Sequence, residues 1–258
     1  GDVRDQRYCL KPLLRTHDAV VALAAIVGAQ ACDRDVTAAW STNYSAILSL
    51  VRFLSKDQIL IYPNTNSGYG IGDGLLCTEE TPLRPLSLYG RSKVEAEQRG
   101  VLRHPLGVSL RFATLFGMSP RMRLDLMVND FVHRAVRDRF LVLFEGKYRR
   151  NFLHVRDAAK TILYALTHVD VMKGEAYNAG LSSANLNKIE LCQRIREEVK
   201  DFQWAEAPVG VDPDRRDYMV SNAKLEALGW QPSYTLEDGI IELRKGFQMP
   251  FQSFVNHE

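Results

Sequence analysis

Four cysteines in 258 residues are too few for a disulfide framework. Cys9, Cys32, Cys77 and Cys192 also lack the paired spacing that a metal site needs. They read as reduced thiols that pack inside a cytoplasmic protein, and no metal is expected. Charge of one sign is missing too: 33 Lys and Arg against 31 Asp and Glu leave a net charge of +2. No basic run stands out, so no nucleic acid is expected as a partner. The longest apolar stretch, Ala19 to Ala29, is too short to span a bilayer and contains a glycine, so no membrane association is expected. The first residues are charged and show no secretory-signal pattern. A Gly-x-Gly-x-x-Gly phosphate turn is also absent. Its nearest substitute, Gly68-Tyr69-Gly70-Ile71-Gly72-Asp73-Gly74, has the wrong spacing. It leads into residues 75–82, which read as a loop and not as the helix N-terminus that would face a pyrophosphate.

What is present is ordinary globular composition, 46% hydrophobic and 25% charged, enough for one large α/β domain or two modest ones. The run His17 to Gly28 reads as a strand buried on both faces, and Val36 to Phe53 as a helix. Residues 107–117 and Phe140 to Phe144 read as further strands, and Leu186-Asn187-Lys188 opens an amphipathic helix to about Lys200.

Two stretches point to chemistry. Leu60-Ile61-Tyr62-Pro63-Asn64-Thr65-Asn66-Ser67-Gly68-Tyr69-Gly70 is an apolar run that breaks into small polar residues, as a buried strand does when it ends in a site. Tyr89-Gly90-Arg91-Ser92-Lys93 opens a segment of helix-forming composition. Residues four apart share a helix face, so the Lys93 charge falls near the Tyr89 hydroxyl and favours its phenolate. With a hydroxyl from Thr65 on the same substrate oxygen, the three make a proton-transfer device for oxidising an alcohol or reducing a ketone. Taken singly, each has a plainer reading: Thr65 as a turn former, Tyr89 and Lys93 as a solvated helix face.

The order of these features resembles the extended short-chain dehydrogenase/reductases, specifically the NAD-dependent epimerase/dehydratase family that acts on nucleotide sugars. The resemblance implies an α/β fold: a Rossmann-like parallel sheet with helices on both faces, plus a smaller α/β substrate lobe. It divides the chain into residues 1–117 with 152–180 for the nucleotide and 118–151 with 181–258 for the substrate. Gly1-Asp2-Val3-Arg4-Asp5 matches a segment that follows the family's third strand. On that alignment about sixty residues would lie upstream, carrying the first two strands and the Gly-rich turn; the alternative is a degenerate relative.

By the same resemblance, Asp2 and Val3 meet the adenine. Leu23, Ala24 and Ala25 pass the cofactor's ribose and phosphates, Asn43 braces the active-site strand, and Phe112 meets the nicotinamide. Asn66, Ser67, Thr114, Asn129, Arg150 and Arg216 fall to the substrate, with Arg150 clamping its diphosphate and Arg216 offering a second phosphate contact. Asn129 has a rival reading as a helix cap and Asn43 one as a solvent-facing residue. His154 is expected to be a satisfied strand residue, and Asp157 the cap of a helix from Ala158 to Leu166. Relatives dimerise by packing the helices that carry Asn43 and Lys93, so a homodimer is expected.

The implied cofactor is NAD or NADP and the implied substrate a nucleotide sugar. Dehydratases of the family follow the threonine with an acid and a base, and 3,5-epimerising members place a Cys where Ser67 stands. Here the positions hold Asn66 and Ser67, neither of which titrates near neutrality. Redox at one carbon, C4, is therefore favoured. Three outcomes remain open: a nucleotide-sugar epimerase with retained NAD, a net reductase or dehydrogenase with exchangeable NAD(P), and a non-catalytic binding protein of the same fold.

Overall fold

The computed structural model describes residues 1–5, 11–208 and 216–249; Cys9 and residues 214–215 lie outside them. In chain order the elements begin α1 (Lys11–Leu14), β1 (Ala19–Val21), α2 (Ala29–Arg34), α3 (Val36–Trp40), a π turn (Ser41–Ser45), α4 (Ala46–Phe53) and β2 (Ile59–Thr65). A 3-10 turn (Asn66–Tyr69), β3 (Ile71–Cys77), α5 (Leu88–Arg99), a 3-10 turn (Val101–Arg103), β4 (Gly107–Phe112) and β5 (Thr114–Phe116) follow. Then come α6 (Met127–Arg137), β6 (Phe140–Leu143), β7 (Arg149–His154), α7 (Val155–Thr167), α8 (Val169–Met172) and β8 (Ala176–Ala179). The chain continues through β9 (Asn185–Asn187), α9 (Lys188–Glu198), β10 (Gln203–Glu206), β11 (Asp217–Val220), α10 (Ala223–Glu226) and α11 (Leu236–Gln248). Among the described residues no helix is long and apolar enough to cross a membrane.

The chain forms two compact units. The first holds Gly1–Gly70, Thr78–Phe112 and Lys160–Ala179; the second holds Ile71–Cys77, Ala113–Ala159 and Gly180–Glu258. The first unit is built on a four-stranded sheet in the order β1-β2-β4-β8, parallel throughout. Strand β4 is buried at all six positions, the pattern of a central strand covered on both faces. Leu50 of α4, Leu60 and Tyr62 of β2, Ala96 of α5 and Val101 pack together in one core cluster.

The second unit contains three small sheets: β5-β7-β9, β11-β3 and β10-β6. Helices α6, α9 and α11 pack on one another there and bury Val132, Leu191, Ile195 and Leu243. Asn187 caps α9 through a reciprocal pair with Glu190, which fixes the start of that helix.

Several elements differ from the sequence reading. The run His17 to Gly28 forms a strand only over Ala19–Val21, the three residues that pair with Ile59–Ile61 of β2. Of residues 75–82, expected as loop, the first three instead complete β3 (Ile71–Cys77), because β11 pairs with that strand in parallel. The run 107–117 is two strands: Phe112 ends β4 beside Thr65 and Ala179, whereas Thr114 opens β5 against Phe152. Helix α7 starts at Val155, so Asp157 lies in its first turn and does not cap it. Its carboxylate accepts the backbone N–H groups of Ser233 (2.9 Å) and Tyr234 (3.0 Å) instead. His154 is a buried strand residue, Nε2 2.7 Å from Glu242 Oε2, as expected.

Candidate active site

The first unit gathers its polar residues where β2 runs out. Thr65 is the last residue of β2 and caps the following turn, its Oγ1 accepting from Ser67 N at 3.1 Å. The Thr65 and Ser67 hydroxyls lie 2.9 Å apart. Asn66 between them is 1% exposed, and neither polar atom of its amide has a hydrogen-bond partner among the described residues. Gly70 ends the turn at φ 70°, and a Cβ there would meet Arg84 O at 2.2 Å. Only glycine tolerates both the left-handed backbone and that approach.

Helix α5 then enters beside this turn. Ser87 caps it by accepting from Gly90 N at 3.1 Å. Gly90 lies so near that a Cβ would sit 3.3 Å from Ser67 O and 3.0 Å from Pro85 Cβ. The missing side chain lets the first turn of α5, with Tyr89, close on the end of β2.

Beneath α5 the register explains a polar stripe inside an apolar sheet. Two strand residues advance about 6.6 Å and four helix residues about 6 Å, so alternate positions of β2 can match one helical turn of α5. Tyr62 and Asn64 of β2 meet Lys93 and Glu97 of α5 in this way: Lys93 Nζ lies 3.9 Å from the centre of the Tyr62 ring, and Asn64 Nδ2 donates to Glu97 Oε2 at 2.7 Å. Across the ladder, Tyr62 pairs with Ser109 and Asn64 with Arg111. Ser109 Oγ donates to Glu97 Oε2 at 2.6 Å and Arg111 Nη2 to Glu97 Oε1 at 2.7 Å. Arg111 Nη1 continues to Tyr69 Oη (3.0 Å) and Glu79 O (3.1 Å), and Tyr69 donates to Asn178 Oδ1 at 2.7 Å.

Burial pulls Lys93 from its ordinary range down to about 7, and Glu97 opposes that shift. Burial pushes Tyr69 up to about 12, and Tyr62 well above its usual range. Tyr62 and the Glu97 cluster were missed from sequence. Glu97 stands one helical turn after Lys93, and that spacing was the available signal.

Asn43 lies in the π turn and is 1% exposed, which rules out the solvent-facing reading. Its Oδ1 accepts from Ile26 N at 2.8 Å; its Nδ2 donates to Ile26 O at 2.9 Å and Ser92 Oγ at 3.3 Å. It therefore ties the segment after β1 to α5.

Asp2, Val3, Ala24 and Ala25 line one cleft of about 490 Å³ together with Ala38 and Thr42. Arg4 grips the exposed Asp2 carboxylate, Nη2 to Oδ2 at 2.6 Å, and holds its pKa down at about 2. Val3, Leu23 and Ala24 line a second, apolar cavity of about 330 Å³ with Leu14 and Ile47. Small side chains beside a carboxylate acceptor fit the adenosine end of a dinucleotide. Phe112 is buried beside Thr65 in the β2–β4 ladder.

Thr114, Asn129, Arg150 and Arg216 belong to the second unit. Leu126 is the N-cap of α6, so Asn129 does not cap it. The Asn129 amide accepts from Gly117 N (3.1 Å) and donates to Arg123 O (3.0 Å). Arg150 is 1% exposed, donates from Nη1 to Arg149 O at 2.9 Å and lies 5.8 Å from the centre of the Tyr218 ring. Arg216 is half-buried just before β11. Among the described residues no cluster of His, Cys, Asp and Glu is arranged to hold a metal ion.

The sequence profile of the NAD dependent epimerase/dehydratase family matches residues 1–180. Low-salt glycan biosynthesis protein Agl12 of Haloferax volcanii is 28% identical over 256 residues, covering 93% of this chain and 78% of that protein. A putative UDP-glucose 4-epimerase of Methanocaldococcus jannaschii is 27% identical over 255 residues, covering 93% and 80%. Among solved structures, UDP-glucose 4-epimerase of Thermus thermophilus in complex with NAD superposes with a TM-score of 0.80 at 22% identity, covering 97% of this chain and 84% of that one.

Proposed function

The chain belongs to the NAD-dependent epimerase/dehydratase family, and from that premise we propose that it oxidises and reduces one carbon, C4, of a nucleotide-activated sugar as a 4-epimerase. The observation that carries this reading is the end of β2. Thr65 and Ser67 put two hydroxyls 2.9 Å apart beside the Tyr89 turn, and the residues after Thr65 supply no carboxylate. Hydroxyls position and share a proton at one oxygen, whereas elimination of water needs an acid and a base that titrate. The putative 4-epimerase among the relatives supports the same choice.

In this reading Tyr89 takes the hydroxyl proton of the sugar and later returns it, and Thr65 Oγ1 hydrogen-bonds the same oxygen. Lys93 supplies positive charge one turn along α5. A bound nicotinamide dinucleotide would supply the reversible hydride acceptor for the sugar carbon. Asp2, Val3, Ala24 and Ala25 would hold its adenosine end, and Phe112 with Lys93 the nicotinamide riboside. Arg150, Arg216, Thr114 and Asn129 are assigned to the substrate. Exposed Val36, Trp40 and Phe53 along the α3–α4 helix support a homodimer, which light scattering would report as twice the monomer mass.

The test is conversion of a UDP-hexose into its 4-epimer without added nicotinamide. Stoichiometric formation or loss of reduced nicotinamide would instead make the protein a net reductase or dehydrogenase. Tyr89→Phe is expected to lower turnover by about 10²–10⁴-fold with the fold intact. Unchanged rates in that variant would overturn the mechanism.

A further inference from the structure

Lys93 is 3% exposed, yet no hydrogen bond or ion pair among the described residues holds its ammonium. It has the ring of Tyr62 instead, with Nζ 3.9 Å from the ring centre. The same phenol donates from Oη to the Lys93 carbonyl at 3.4 Å, so one side chain engages Lys93 at both ends. Tyr62 is fully buried and stays neutral, which preserves the negative face that attracts a cation. We propose that Tyr62 is a positioning residue for the reaction: its ring seats the Lys93 ammonium one turn from Tyr89 and favours its charged form, without touching substrate. The inference rests on the assignment of Lys93 to the site.

The surroundings leave this task to Tyr62. Burial drives Lys93 toward its neutral form and Glu97, one turn further along α5, resists. Glu97 is itself engaged by Asn64, Ser109 and Arg111. Elsewhere on α5, Glu95 pairs with Arg99, and Arg91 is exposed. From the elements packed against α5, Cys32 on α2 meets Asn43 Nδ2 at 3.7 Å. Tyr44 of the π turn packs on the same core cluster as Tyr62, and Tyr69 is bound to Arg111 and Asn178. Asp33, Arg34, Arg52 and Arg103 are exposed.

The test reads the titration of Lys93 directly, by carbon-13 NMR of ε-labelled lysine in the full chain without substrate. The resonance is identified by its loss in Lys93→Met. Tyr62→Phe keeps the ring face and is expected to keep the midpoint. Tetrafluorinated phenylalanine at position 62 keeps the shape but drains the face, and is expected to lower the midpoint by about one pH unit, as is Tyr62→Leu. Coincident midpoints for the phenylalanine and fluorinated forms would overturn the proposal, and because those two rings are nearly the same size the comparison survives a failure of the leucine variant to fold. Turnover is not part of the readout, so a failed epimerase assay leaves this result standing, and a failed titration leaves the proposed reaction standing.

Discussion

Lys93 shows what the site costs its own fold. The unfolded chain binds its proton up to 10.5, while the buried side chain gives it up at about 7. Below the folded value both states are charged and the native state bears the full penalty of burying a cation. The penalty fades as pH rises from about 7 toward 10.5, because there the unfolded state binds more protons than the native one. Lys93→Met is therefore expected to raise the melting temperature at pH 7 by several degrees, and by much less at pH 10, while abolishing turnover. Differential scanning calorimetry at the two pH values checks the sign, and a variant less stable at pH 7 would contradict it. Glu97 behaves in the opposite way. Glu97→Gln leaves the buried Arg111 guanidinium without its counter-charge, and a loss of about 3–5 kcal/mol is expected in urea denaturation. Lys93 stood out in the sequence because residues four apart share a helix face, which sets it beside Tyr89. Tyr62 did not, because an aromatic inside a strand looks the same whether it fills a core or seats a cation.

At the level of elements, the helix from Val36 to Phe53 was legible as apolar periodicity, but its π turn was not. The Ala46 N–H reaches back to Ser41 O, one residue more than an α-helix allows, and the extra residue lies in the turn that carries Asn43 to Ile26 and Ser92. No residue type announces such a turn; its cause is tertiary. Asn43→Leu has nearly the same volume and leaves Ile26 N–H and C=O without the amide that satisfies them. A loss of about 2–4 kcal/mol in chemical denaturation is expected, and a change within 0.5 kcal/mol would show that the bridge is dispensable. The strand β3 was hidden for a related reason. Glycines at positions 70, 72 and 74 lower strand propensity, and the partner that overrides them, β11, begins at Asp217. Pairing over that separation leaves no local trace. The run His17 to Gly28 was overread because apolar character reports burial, whereas strand length is set by how many residues find a partner, here three.

For the whole molecule the parallel α/β class was what the family resemblance implied, and the division into two units follows from which strands pair. Each unit has a well-buried strand with a partner on both sides: β4, more buried than its interior neighbour β2, lies between β2 and β8 in the first, and β7 between β5 and β9 in the second. Opening either one exposes two ladders and the apolar side chains that pack on them, whereas β1 pairs with β2 alone among the described residues. Local opening free energy rises with the number of contacts broken, so protection from hydrogen exchange should peak at two places in the chain. The bonded amides of Gly107–Phe112 and Arg149–His154 are expected to exchange slowest, and those of Ala19–Val21 orders of magnitude faster. A single protection maximum confined to one of the two strands would mean that only one unit holds a cooperative core. Uniform protection across β1, β2 and β4 would mean that the first unit opens as one body, edge and centre together.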